Sequence, residues 1–220
     1  MAITLAEEIM LLSLDDESGA AKQRQAAGWA VAGALLLELV MAERVSVSGK
    51  YLTLVDPTPT GEKLLDGRIL SIRTWLRDRD KRRVTEWLTK DATKAVAATL
   101  ESLGERGLVV EEVRKVLGVF PQRRYPEADG SVERALRERL AAVVLEGAEP
   151  DERTAGLIAL LHSAKLHKLA FPGAEGKAVV PRMREIAADE WAAESVRVAI
   201  RDMQAVMVAV TAATVVAATA

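Results

Sequence analysis

Three observations predict a mainly α-helical chain with two short β-hairpins. From Gly28 to Ala42 only Glu38 interrupts an apolar run, and a helix that is apolar almost all round is buried on most sides. Further along, apolar residues recur at helical spacing in one segment after another, as at Val96, Leu100 and Leu103. At two places, Val45 to Val55 and Val109 to Phe120, the period switches to that of a strand. The 220 residues contain few aromatics and many Ala and Val, which suits close helix packing better than a large sheet.

Thr4-Leu5-Ala6-Glu7 is a capping box that opens the first helix, with Leu5, Ile9, Met10 and Leu12 toward one side. Asp15 to Gly19 is a polar turn that stops it. The central helix follows at Gly28 to Glu43. Its small residues Gly28, Ala30, Ala32, Gly33 and Ala34 admit close neighbours, and Leu35, Leu36, Leu37 and Leu39 fill a core. Glu38 is expected at the bundle edge or paired with an arginine, because buried carboxylates are usually paired.

Two short runs around Gly49-Lys50 form the first hairpin, and Asp56-Pro57-Thr58-Pro59-Thr60-Gly61 is a stiff extended loop whose Thr60 is placed to cap the next helix. Leu64 to Leu88 is helical with a break near Asp78-Arg79-Asp80, and Asp91 to Leu103 is a further helix. Seven bases (Arg68, Arg73, Arg77, Arg79, Lys81, Arg82, Arg83) stand against Asp78 and Asp80. Such a run is either a solvated helix face or a surface for an anionic partner. Leu108 to Val113 pairs with Val116 to Phe120 in the second hairpin. Helices are expected over Ser131 to Leu145, Asp151 to His167, Arg182 to Ala188 and Glu190 to about Val210. The uncharged tail from Ala205 lacks Leu, Ile and Phe and reads as a core helix with a frayed end, not an anchor.

The bulk numbers exclude several functions. There is no cysteine, so disulfides, thiolate metal sites and cysteine nucleophiles are absent, in keeping with a cytoplasmic protein. The acidic N-terminus is no signal peptide. With 30 bases and 32 acids, any anion site must come from local clustering. Gly28 to Gly33 has Walker spacing without the Lys-Ser/Thr that follows it, inside an apolar helix. His162 and His167, taken on one helix, point about 140° apart and share no metal. The paired acids Glu7-Glu8, Asp15-Asp16 and Glu111-Glu112 are sequence neighbours that do not face each other. Nothing argues for catalysis, a metal or a cofactor.

Thr4-Leu5-Ala6-Glu7-Glu8-Ile9-Met10-Leu11-Leu12-Ser13-Leu14-Asp15-Asp16 and Gly33-Ala34-Leu35-Leu36-Leu37-Glu38-Leu39 resemble the opening of the Golgi phosphoprotein 3 family. So do Asp56 to Gly61, Leu64-Leu65-Asp66, Phe120-Pro121-Gln122-Arg123-Arg124-Tyr125-Pro126 and Ala159-Leu160-Leu161-His162-Ser163-Ala164, in family order. The Ala- and Arg-rich wording is similar to bacterial, particularly actinobacterial, members.

The resemblance implies one helical-bundle domain over 1–220, ringed by amphipathic helices and frayed from about 211. It implies a peripheral membrane protein that binds phosphatidylinositol 4-phosphate or another anionic phospholipid headgroup, in a bacterium on the inner face of the plasma membrane. The alternative is a protein-interaction scaffold without lipid specificity, partnered by protein or by a second copy. A third reading, a DNA-binding winged helix, has helix-hairpin order and the Arg68 to Arg83 run for it and the net charge of -2 against it, and no nucleic-acid partner is expected.

The positions aligned with the family's headgroup site are Gln23, Ala32, Thr93 and Val96, and none keeps the family's residue type. Arg24 and Lys94, each one residue away, are the candidate headgroup ligands, with Arg123 and Arg124 beside the second hairpin. Weak, charge-driven binding with little preference among phosphoinositides is therefore expected. That hairpin corresponds to the family's membrane-insertion and self-association element. Leu117, Val119 and Phe120 are its apolar candidates, or ordinary core strand residues.

Overall fold

The computed structural model describes residues 3–14, 24–116, 120–126, 128, 130–188, 198, 200–202 and 204–205, and side chains at 24 and 114–123 are outside that description. The expected turn at Asp15 to Gly19 and the tail beyond 205 lie outside the described residues, as does most of the expected helix from Glu190; residues 198, 200–202 and 204–205 of it are helical.

The architecture is mainly helical. In chain order it runs α1 (Leu5–Ser13), α2 (Arg24–Met41), β1 (Val45–Ser48), β2 (Tyr51–Leu54), α3 (Lys63–Leu76), β3 (Arg82–Arg83) and α4 (Val84–Glu105). Then follow β4 (Glu112–Val116), β5 (Phe120–Arg124), α5 (Ser131–Val144), α6 (Glu152–Ser163), α7 (His167–Ala170) and α8 (Gly176–Ala188).

The core forms around α1 and α2. Every residue of α1 is buried, including Glu7 and Glu8. The capping box is complete: Glu7 donates its backbone N–H to Thr4 Oγ1 at 3.2 Å and accepts from the Thr4 N–H at 2.6 Å. α2 packs most extensively on α1 and α4. Its Leu35, Leu36, Leu37 and Leu39 are all at most 1% exposed. This apolar run, interrupted only by Glu38, thus becomes the pole of the bundle, since it packs against α1, α4, α6 and α3.

Burying two adjacent acids on α1 requires cations from other elements. Glu7 pairs with Arg106, just after α4, at 2.8 Å and accepts from Ser102 Oγ at 2.8 Å. Glu8 pairs with Arg139 of α5 at 2.9 Å and faces Arg153 of α6 at 3.5 Å. Neighbours on a helix diverge, so the two carboxylates tie α1 to different partners.

The first hairpin forms as expected, with Ser48 opposite Tyr51 and Gly49 at φ 58 in the turn. A third strand joins it: Tyr51 pairs with Arg83 and Leu52 with Arg82. Local periodicity gave no sign of a two-residue strand fixed by a partner thirty residues away.

Several boundaries differ from expectation. The break expected near Asp78-Arg79-Asp80 is present between α3 and β3, but the expected start of a new helix at Asp91 is not. α3 ends at Leu76, and one long α4 runs through Asp91, whose side chain is consumed by an ion pair and does not cap a new helix. Glu62, not Thr60, caps α3; Thr60 is held by Asp66, which accepts from its N–H at 2.6 Å and its hydroxyl at 2.7 Å. The second hairpin is shifted, pairing Glu112 to Val116 with Phe120 to Arg124. Below it Val109 is buried and Val110 is 54% exposed. The helix started by Asp151 ends at Ser163, because Lys165 takes a left-handed φ of 57 before the short α7. α8 begins six residues ahead of Arg182 and accommodates Pro181.

Candidate functional site

The site is built where α3 and α4 diverge. Arg68, counted among the basic run, is buried there. Its Nη1 lies 3.3 Å from Asp91 Oδ1, and its Nη2 donates to the Lys94 carbonyl at 2.9 Å. This pair fastens α3 to α4 at mid-length. Toward the C-terminal end of α3 the helices leave a groove of about 260 Å³, walled by Leu70, Ser71 and Thr74 on one side and Lys90, Asp91 and Lys94 on the other. Trp75 and Trp87 close it, with ring centroids 5.3 Å apart.

Lys90 and Lys94 are exposed and one helical turn apart, so they stand side by side. Among the described residues neither ammonium has a hydrogen-bond or ion-pair partner. Ser71 and Thr74 donate their hydroxyl protons to Gly67 O and Leu70 O, each at 2.9 Å, and so offer lone pairs to the groove. Burial pushes the Asp91 carboxyl above its ordinary range, against the pull of Arg68, Lys94 and Lys90.

The basic run divides in two. Arg82 is used structurally, lying 4.6 Å over the Trp75 ring, donating to Trp75 O at 3.0 Å and pairing with Glu86 at 2.9 Å. Arg73, Arg77, Arg79, Lys81 and Arg83 are exposed. Lys81 and Lys50 flank the Tyr51 ring at 4.8 and 5.7 Å. Leu70, Arg73 and Thr74 recur at three and four residues, which places them on one stripe of α3 beside the groove, with Leu70 63% exposed, and Arg77 follows at the end of the helix.

Of the residues singled out from sequence, Lys94 is in this site. Arg24 is the first residue of α2, Arg123 lies in β5 opposite Val113, and Phe120 opens β5 opposite Val116; the side chains of these three are outside the described residues, as are Leu117 and Val119 altogether. Arg124 is half-buried at the base of the hairpin opposite Glu112. The face of α4 that meets α2 is a different one: Gly28 packs against Ala92 and Val96. Lys90, Asp91, Ser71 and Thr74 were not singled out. The four-residue spacing of Lys90 and Lys94 is the signal that was available; nothing local marks the α3 hydroxyls.

His162 and His167 lie on separate helices, α6 and α7. Burial lowers the His162 pKa, aided by Arg184 and His167. Among the described residues no group of three or more His, Asp or Glu is placed to hold a metal ion. Among the same residues no helix is long and apolar enough to cross a membrane.

Comparison with curated proteins finds no match. A family model does match, over residues 5–203, which takes in α1, the α2 core, the groove between α3 and α4 and the second hairpin. The chain belongs to the Golgi phosphoprotein 3 (GPP34) family.

Proposed function

We propose that this chain is a peripheral binder of anionic phospholipid headgroups, of the phosphatidylinositol 4-phosphate kind or simpler, and that it meets the membrane with the α3–β3–α4 face. The observation that carries the reading is the groove flanked by Lys90 and Lys94, which have no partner among the described residues, together with the exposure of Arg73, Arg77, Arg79, Lys81 and Arg83 along α3 and the segment that joins it to α4. Family membership supports it. A base near an acidic membrane contributes about 1 kcal/mol, so a handful acting together hold the protein reversibly. Exposed Leu70 supplies apolar area at the same place.

Co-sedimentation with phosphatidylcholine vesicles, with and without an acidic lipid, across a salt series tests this. Binding only to acidic vesicles, fading as the Debye length drops below about 8 Å, is the expected result. Lys90→Glu with Lys94→Glu weakens it. Absence of binding to every acidic vesicle overturns the reading. It then favours a second, a protein-interaction scaffold, for which the exposed Val110 and Val113, at 54% and 62%, provide an apolar contact beside the second hairpin.

A further inference from the structure

α8 packs on α6, α7 and α5, and the side it buries is apolar: Val179, Met183 and Ile186. Among the described residues no ion pair ties it to another helix. Lys177 pairs with Glu175, just ahead of α8, at 2.6 Å, and Arg182 pairs with Glu185 inside it at 3.4 Å. What meets α8 from α6 and α7 includes both histidines of the chain. His167 is seated against the first residue of α8, where a Cβ built on Gly176 would lie 3.3 Å from its Nε2. His162, half-buried near the end of α6, feels the charges of Arg184 of α8 and His167 of α7. Arg184 is exposed and has no ion-pair partner among the described residues. The acids of the other elements packed on α6 and α8 are committed elsewhere. Glu8 of α1 and Glu38 of α2 face Arg153, about two and a half turns back along α6, Glu7 of α1 pairs with Arg106, and Glu133 of α5 pairs with Arg137. The junction thus gathers bases without a free acid.

We propose that the α6–α7–α8 junction is a pH-sensitive latch: acidification charges His162 against Arg184 and undocks α8 while the rest of the bundle stays folded. A histidine is the side chain whose ordinary titration falls in the range a cell or its surface meets. Burial, Arg184 and His167 all lower the His162 pKa from its ordinary 6.5, so the docked helix prefers the neutral ring. The contribution of that preference is complete above about 6.5 and is lost as pH falls through the lowered value. No cross-element ion pair among the described residues holds α8 once the apolar contact weakens. Undocking bares Val179, Met183 and Ile186 on a helix that also carries Lys177, Arg182 and Arg184. The latch is independent of what the α3–α4 face binds.

Amide hydrogen exchange of the full chain at about pH 7.5 and about pH 5.5, corrected for the intrinsic pH dependence of exchange, tests this. Protection of the α8 amides is expected to fall about fivefold at the lower pH, the scale of one like-charge contact at a solvent-facing surface, with α2 unchanged as the internal reference. His162→Gln is expected to make α8 protection the same at both values. Because His162 is half-buried and its replacement can disturb packing, Arg184→Glu serves as a second variant at an exposed position. It places an acid opposite the imidazole and is expected to keep α8 protected at the lower pH. Unchanged α8 protection in the unaltered chain overturns the latch. So does a fall shared equally by α2, which is global unfolding, and so does a fall that persists in Arg184→Glu.

Discussion

Arg153 Nη1 donates to Glu38 Oε1 at 2.6 Å, joining α6 to the one charged residue between Gly28 and Met41 of the central helix across 115 positions of sequence. The same guanidinium donates through Nη2 to Ile3 O at 2.5 Å and faces Glu8 at 3.5 Å. One side chain thus compensates two buried carboxylates and anchors the segment ahead of α1. Arg153→Ala leaves both carboxylates buried without it. The expected loss is about 3 kcal/mol, the lower end of the range for breaking a buried pair, since Arg153 is itself 29% exposed. Urea denaturation of the variant checks this; a change below about 1 kcal/mol would show that water replaces the arginine without cost.

Glu38 also predicts a pH dependence. Burial raises its carboxyl above the ordinary value of 4.5, outweighing the hydrogen bond and charge of Arg153, which lower it; the Leu5 backbone also lowers it, and Glu8 raises it. The folded state therefore holds this proton more tightly than the unfolded chain does. The linked stabilisation is present below about 4.5 and is lost as pH rises from there through the folded value. Glu38→Gln removes this contribution at every pH. The melting temperature of the unaltered protein minus that of Glu38→Gln should fall as pH rises from 4 toward neutrality. A difference that grows with pH would contradict the assignment.

Asp151 behaves in the opposite sense. Its carboxylate caps α6 by accepting from the Thr154 N–H at 2.7 Å, and the Thr154 hydrogen bonds hold its pKa below the ordinary 3.8. Its contribution is present above about 3.8 and is lost as pH falls through the folded value. Asp151→Ala should cost about 1 kcal/mol at neutral pH and less in acid, measured by the same denaturation.

Leu36 is 1% exposed in the middle of α2. Leu36→Asp buries a charge with no partner, at a cost of several kcal/mol against the roughly 5–15 kcal/mol that stabilises a folded domain. The variant should fail to fold, and a soluble variant with an unchanged melting temperature would show that α2 is not the pole of the core.

Gly28 predicts the reverse. A Cβ built there lies 3.7 Å from Ala92 Cβ and from Val96 Cγ2, ordinary contact distances that need no movement. Gly28→Ala should therefore stabilise the protein by about 0.5–1 kcal/mol through helix propensity alone. A loss of stability would mean that α2 and α4 sit closer than this geometry.

The two basic regions can be separated by charge reversal. If the α3–α4 face meets the membrane, Lys90→Glu with Lys94→Glu should reduce binding to acidic vesicles by more than Arg123→Glu with Arg124→Glu. Each pair removes two cations, so a difference between them reports location and not total charge. A larger loss from the hairpin pair would move the contact to β4–β5.

What local chemistry determines was legible in the chain. The Thr4 to Glu7 capping box, the Asp151 cap, the Gly49 turn and the apolar run of α2 depend on residues within a few positions of one another, and each forms where its pattern stands. The need for a partner at Glu38 was legible too, because burying a carboxylate alone is costly; that the partner is Arg153 is a fact of packing. Tertiary structure decided the rest. It took Arg68 and Arg82 out of the basic run, the first into an ion pair with Asp91 and the second onto Trp75. It drew Arg82 and Arg83 into a strand beside β2, and it ran α4 straight through Asp91. It also set Ser71 and Thr74 across from Lys90 and Lys94. None of these outcomes is encoded in spacing along the chain. A cation is solvated or buried according to what stands opposite it, and what stands opposite is fixed only when α3 and α4 pack.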